Sequence, residues 1–292
     1  MDASTVANAV VSGLLTGLIY GLSALGLSVI FGVIRIVNFA HGEMMVIGMY
    51  VALVLFRLLK IDPLLSVPIA AALLFGFGYL LQHWVVRRVA HLPDHMQFLL
   101  LAAIAIIMVS GSLVVFGPDA QGVSGELPYA TASLAFGKLI VDVPRLLAAG
   151  AAVGVAALLL LFFKVTPTGR AIRACADNYL GAKVVGLPVD RLYALTFGIG
   201  AACIGAAGCI ILLLVDVQPY LAPPYTLLAF VFVIVGGMGS MFGALVGGVL
   251  IGMAEELASL FLQPSLKSAF SFGLLILVLL LRPQGLLGKV AR

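Results

Sequence analysis

The chain has 292 residues, of which 63% are hydrophobic and only 10% charged. Soluble globular domains carry about 25% charged residues, so this chain lacks the polar surface to cover a water-soluble body and reads as an integral membrane protein. The formal net charge of +4 does not point to nucleic acid, because the basic residues lie between hydrophobic stretches, where they set orientation.

A helix crosses the hydrocarbon core in about 20 apolar residues. The first stretch, residues 3–34, contains no charge and has no basic leader. A signal peptide has an apolar core of only about 7–15 residues, so this stretch is read as a retained first span. Further spans are predicted at 39–56, 63–86, 96–116, 143–163 and 192–215. Beyond the Pro-rich turn VQPYLAPPY follow the apolar stretches 226–235, 244–262 and 265–281, the first of them short for a crossing. The reading is one all-α, polytopic domain over residues 1–292 with eight or nine transmembrane helices.

Two connections differ in charge. The loop 164–191 holds Lys164, Arg170, Arg173, Lys183 and Arg191 against Asp177 and Asp190, whereas 117–142 holds Lys138 against Asp119, Glu126 and Asp142. Lysine and arginine favour the cytoplasmic side. The basic loop, Arg87, Arg88 and the tail with Arg282, Lys289 and Arg292 are therefore expected there, with the N-terminus outside. Arg57 and Lys60 point the other way.

Within VIRIVNFAHGEMMVIGMY, Arg35, Asn38, His41 and Glu43 interrupt an apolar region. A charge at mid-bilayer costs at least about 2.5–3.5 kcal/mol, so these residues are expected near an interface or a cavity. In one reading Asn38, His41 and Glu43 cap the second helix and hydrogen-bond across the turn, with Glu43 favoured by the helix dipole. In the other they form the inner mouth of a path; a metal or catalytic role is the third alternative.

GGMGSMFGALVGGVLIG spaces Gly239, Gly243 and Gly247, and separately Gly248 and Gly252, at four-residue intervals. That spacing puts glycines on one helix face, where small residues let membrane helices approach closely. The packing face is assigned to Gly243, Gly247, Gly248 and Gly252. Alternatively VGGMGS, through Gly236, Gly237 and Gly239, breaks the helix and lines a cavity, since irregular backbone at membrane depth needs protein or water around it. Cys175, Cys203 and Cys209 are odd in number and suit packing better than a disulfide framework.

No enzyme is legible. His41 and Glu43 do not form HExxH, GGMGSMFG is neither GxxxxGK[ST] nor GxGxxG, and no serine lies in GxSxG. His83, His91 and His95 cluster without a cysteine partner, so no metal site is assigned.

VTPTGRAIRACADNYLGAKVVGLPVDRLYAL predicts two short helices before a span. Thr166 suits an N-cap and Pro167 a first helical position. Arg170, Arg173 and Asp177 share a face, with Arg173 and Asp177 spaced to pair. Gly181 and Gly186-Leu187-Pro188 end helices, and Asp190 is placed to start the next. The loop reads as a docking surface for a cytoplasmic partner; a solvated amphipathic loop at the headgroups is the alternative.

NFAHGEMMVIGMY, TPTGRAIRACADNYLGAKVVGLPVDRLYALTFGIGAACIGAAG and GGMGSMFGALVGGVLIGMAEEL, in this order, resemble the permeases of branched-chain amino-acid ABC importers, specifically the H-type subunit. The resemblance runs to the closing LRPQGLLG and is weakest over 61–138. It implies a type II ABC importer fold in a bacterial inner membrane, a homologous second permease subunit, two separate ATPases and a periplasmic or extracellular substrate-binding protein. ATP and Mg would bind those ATPases and no cofactor this chain. The resemblance places the coupling role on Gly169, Arg170, Arg173, Ala174, Asp177 and Gly186, although ACADN stands where the older coupling signature has Glu-Ala-Ala. It also offers Glu255 or Glu256 as a contact for the binding protein; a solvated helix end is the plainer reading. The implied substrates are leucine, isoleucine, valine or other hydrophobic amino acids. A self-sufficient secondary transporter or channel is the rival, but it predicts buried coupling carboxylates within inverted repeats, and no internal repeat is visible.

Overall fold

The computed structural model describes residues 3–123, 125–261 and 266–288. Helix α1, Ala3–Ile34, uses the whole charge-free run and ends where Arg35 takes a left-handed backbone, φ 63°. Helix α2, His41–Leu59, stops at Lys60, also left-handed. Helix α3, Pro63–Leu81, starts with Asp62 accepting from Leu64 N at 2.8 Å and with proline in its first turn, where no N–H is required. It continues through a π-turn, Gln82–Val86, into α4, Arg87–Val89.

Then come α5, Asp94–Phe116, and α6, Val143–Val165. Between them lies an antiparallel hairpin, β1 Ser133–Phe136 and β2 Leu139–Asp142, inside what the sequence suggests only as a polar loop. The basic connection folds into α7, Pro167–Asp177, and α8, Tyr179–Val184, before α9, Val189–Ile211. Helices α10, Ala222–Gly236, α11, Met241–Ala258, and α12, Lys267–Leu281, complete the order.

Among the described residues, eight helical runs are long and apolar enough to cross a membrane, and α12 supplies a shorter apolar helix. The short stretch 226–235 is part of a span over Pro219–Gly236. The Pro-rich segment is its beginning and not a turn before it: Pro223 and Pro224 occupy the first turn of α10, after a 3-10 turn at Pro219–Leu221. The predicted junction of 244–262 and 265–281 lies outside the described residues, as do Lys289 and Arg292.

Contacts sort the connections into two ends. At one end Asn8 of α1 bonds the hairpin, accepting from Ile140 N at 2.9 Å. There too Gln121 and Val217 form an isolated bridge, and Arg57 donates to Gln121 Oε1 at 2.6 Å. Lys60 lies 3.6 Å from Glu126, and Tyr129 donates to Asp62 at 2.6 Å. Burial, and then that bond, pushes the Tyr129 phenol well above its ordinary range. Arg57 and Lys60 are thus engaged locally at this end.

The opposite end gathers Arg35, Arg87, Arg88, Lys164, Arg170, Arg173, Lys183, Arg191 and Arg282 against Asp94, Asp177 and Asp190. Here the tail returns to the bundle: Leu286 N and Leu287 N donate to the carbonyls of Val235 and Gly236, satisfying the end of α10. Helices α1 and α9 form the centre, 78% and 83% buried over their most apolar windows, while α3 and α5 are 28% and 22% buried.

Candidate functional site

A buried polar cluster joins α1, α2 and α10. His41 is fully buried, its Nε2 3.1 Å from Ser23 Oγ of α1. Thr226 Oγ1 of α10 accepts from Gly42 N at 2.8 Å and donates to Glu43 Oε2 at 3.1 Å. Asn38 Oδ1 accepts from Ala40 N at 3.1 Å, and its amide lies 3.6 Å from the Met44 sulfur. The helices meet this closely because a Cβ on Gly42 would collide with the Ala222 carbonyl and with Thr226.

This corrects the capping reading. The N-cap of α2 is Ala40, and no side chain caps it. Asn38 closes a local turn, while His41 and Glu43 reach sideways to other helices. Arg35 alone of the four faces outward. The space beside Glu43, bounded by Val46, Met108, Ser112 and Pro219, is too narrow for water. Sequence reasoning missed Ser23, Gly42 and Thr226: hydroxyls and a glycine inside apolar runs give no signal of a partner 18 or 183 residues away.

Helix α11 presents glycines on two faces. Gly243 and Gly247 lie against the carbonyls of Gly236 and Phe232 in α10, and Gly248 and Gly252 against Gly21 and Gly17 of α1. The stretch after Gly236 does break the helix, with Gly237 and Gly239 at φ 108° and 80°. A Cβ on Gly236 would strike Gly243, one on Gly237 would strike Gly288, and Gly239 sits beside Gly32.

At the basic end, Thr166 caps α7, accepting from Gly169 N at 3.0 Å, and Asn178 caps α8, accepting from Gly181 N at 2.8 Å. Ile172 and Cys175 anchor α7 inward, and burial raises the Cys175 thiol above its ordinary range, so it stays protonated. Arg170, Arg173, Ala174 and Asp177 are exposed. Arg173 and Asp177 form no ion pair; their spacing allows one, but in water it adds little. Gly169 departs from the outward-facing set. It is buried at the α6–α7 corner, where a Cβ would stand 2.5 Å from the Phe162 carbonyl. Gly186 is exposed at φ 82° and reverses the chain after α8. Asp190 lies in the first turn of α9, as its place at the start of that helix predicts, after Pro188 at the N-cap, and it pairs with Arg87 at 2.6 Å.

Glu255 is not a solvated helix end. It is 8% exposed and accepts from Ser271 Oγ, because α12 folds back over α11, and Glu256 meets Lys267 at 3.5 Å. All three cysteines are free and buried. Among the described residues no cluster of His, Cys, Asp and Glu could hold a metal.

A multi-helix membrane bundle with glycine-packed interior helices and a short exposed helix pair at its basic end is the class this geometry defines. Residues 9–279 match the family model described as branched-chain amino acid transport system / permease component. The chain is 34% identical to the high-affinity branched-chain amino acid transport system permease protein LivH of Escherichia coli (strain K12), covering 95% of this chain and 94% of that protein. It is 32% identical to the corresponding permease protein BraD of Pseudomonas aeruginosa, over 96% and 94%. It is also 26% identical to the permease protein LivM of Escherichia coli (strain K12), over 92% and 68%. The chain belongs to the family of branched-chain amino acid transport system permease components; it is a multi-pass membrane permease and not an enzyme.

Proposed function

We propose that this chain is the H-type permease subunit of an ATP-driven importer for leucine, isoleucine, valine or related hydrophobic amino acids, and forms half of the translocation path. The observation that carries the reading is the family match over nearly the whole chain. The likeness to both LivH and LivM supports a homologous second permease as the partner. ATP and Mg2+ bind two separate ATPases, and a substrate-binding protein delivers the amino acid on the opposite side. The basic end faces the cytoplasm, in line with the bias of lysine and arginine, so the N-terminus lies outside and the C-terminus inside a bacterial inner membrane.

In this reading α7 and α8 are the coupling helices. Arg170, Arg173, Ala174 and Asp177 meet the ATPase, Gly186 shapes the turn, and Gly169 holds α7 rigidly on α6 so that motion reaches the span. The cluster of Asn38, His41 and Glu43 then ties α2 to α1 and α10 near the inner mouth, where a displacement of α1 alters the path. Gly236, Gly237 and Gly239, at the break between α10 and α11, are the candidate gate beside the path.

The test is a mild-detergent purification of the tagged chain with identification of co-purifying subunits, followed by uptake in proteoliposomes. Two ATPases and a second permease are expected. A double variant Arg170→Glu, Arg173→Glu should assemble a folded membrane domain but lose uptake about tenfold or more, equivalent to about 1.4 kcal/mol of coupling. Undiminished uptake in that variant overturns the coupling assignment. Transport by this chain alone in ATP-free liposomes replaces the importer with a secondary transporter or channel.

A further inference from the structure

The end of α3 carries a second constellation that the permease reading does not use. A helix rises about 1.5 Å per residue and needs about 20 residues for the hydrocarbon core. Counted from Pro63, the π-turn Gln82–Val86 and α4 therefore emerge at headgroup depth. There the extra residue of the π-turn re-aims the side chains. Gln82 and Val86 turn inward, while His83, Trp84, Arg87 and Arg88 turn out. Trp84 is 57% exposed, as expected of an indole at the membrane interface. His83, Trp84, Arg87, Arg88 and His91 alone line a shallow cavity of about 540 Å³.

The charges facing this cavity are one-sided. Asp190 engages Arg87 from the start of α9, and Asp94 lines a neighbouring cavity with His91, but no acid lines this one. Arg88 has no ion pair among the described residues. An open, basic, tryptophan-bordered recess at headgroup depth has the chemistry of a phosphodiester acceptor. Arginine and histidine hold the phosphate oxygens, and the indole lies along the first methylenes of the acyl chains.

We propose that His83, Arg87, Arg88 and His91 bind the phosphate of an anionic phospholipid, with Trp84 against its acyl chains. Arg87 is shared between this phosphate and Asp190, the second residue of α9. The bound lipid therefore bears directly on the segment joining α8 to α9, which makes the site a point of lipid control over the helix pair. The site depends on the membrane reading of the chain and not on the identity of the transported solute.

Trp84 is the only tryptophan, so the full-length chain reports on the site without labelling. In phosphatidylcholine nanodiscs, brominated phosphatidylglycerol should quench Trp84 more strongly than brominated phosphatidylcholine at equal mole fraction. Arg88→Gln should lower this selectivity about fivefold, the share of one basic residue near an anionic surface, and Arg88→Lys should retain most of it. His91→Gln combined with Arg88→Gln should abolish it while the melting temperature stays within that of the parent chain. Equal quenching by the two lipids, or selectivity intact in the double variant, overturns the proposal. Loss of the preference on adding inorganic phosphate, at constant ionic strength, reassigns the site to a free anion and also overturns it. If the double variant keeps its lipid selectivity but loses its ATPase, the residues belong to a protein interface.

Discussion

The inner helices α1, α10 and α11 and the outer helices α3, α5 and α6 are all apolar and all carry glycine, yet they meet different surroundings. Gly17, Gly21, Gly248 and Gly252 bring the α1 and α11 backbones into contact, while Gly76, Gly111, Gly150 and Gly154 on α3, α5 and α6 have nothing within 4 Å of a built Cβ. Mean hydropathy is 2.1, 1.6 and 1.5 for the inner spans and 2.1, 2.7 and 2.6 for the outer ones. Burial therefore does not follow apolarity, because lipid tails are as apolar as leucine and supply no hydrophobic force between helices. What separates them is steric. On the inner helices, and at Gly78 where α3 meets Ala201 of α9, the absent side chain is the contact; on the outward faces of α3, α5 and α6 it is a free position.

The sharpest way to break that comparison is to fill both kinds of glycine. Gly248→Ala already places a methyl group on the Gly21 backbone, and overpacking of this kind costs about 1–3 kcal/mol. Gly248→Leu should therefore leave no monodisperse, folded chain by size-exclusion chromatography. Gly150→Leu on α6 should change neither the elution profile nor the melting temperature of the isolated chain. Equal tolerance at both positions would show that the α1–α11 seam does not hold the fold.

The next effect is polar. Thr226→Val removes the acceptor of Gly42 N and the donor to Glu43. Leaving buried partners unsatisfied costs about 1–3 kcal/mol, so a clear drop in melting temperature is expected, largely restored by Thr226→Ser. A valine variant as stable as the parent would mean that the cluster joins α2 to α10 by shape alone.

How much of this was legible follows the same division. The span of α1 can be read to the residue because charge is absent over 3–34, and the α7–α8 pair because Thr166, Pro167, Gly181 and Gly186 are local signals with local consequences. The hairpin at 133–142 was missed although Gly137-Lys138 is a two-residue turn, since its strands are only four residues each. The start of α10 was misplaced because prolines read as a turn also suit a first helical turn. Asn38, His41 and Glu43 stood out as polar residues in an apolar run. Their partners did not, because a serine or threonine within a hydrophobic helix looks the same whether it faces lipid, its own backbone or a glutamate on another helix.

The smallest effect lies at the exposed edge, in the Arg87–Asp190 pair. Its geometry is close, 2.6 Å, but the two side chains are 51% and 56% exposed. An ion pair in that setting contributes about 0.2–1 kcal/mol, because water screens it and two flexible side chains must be held. A double-mutant cycle with Arg87→Gln and Asp190→Asn should return a coupling in that range by thermal or denaturant unfolding. The coupling should fade at high salt, where the Debye length falls to about 3 Å at 1 M. A coupling above about 2 kcal/mol, insensitive to salt, would mean that this end is desolvated. The pair would then belong with the seam, and the division between a steric interior and a solvated basic end would fail at the joint between α4 and α9.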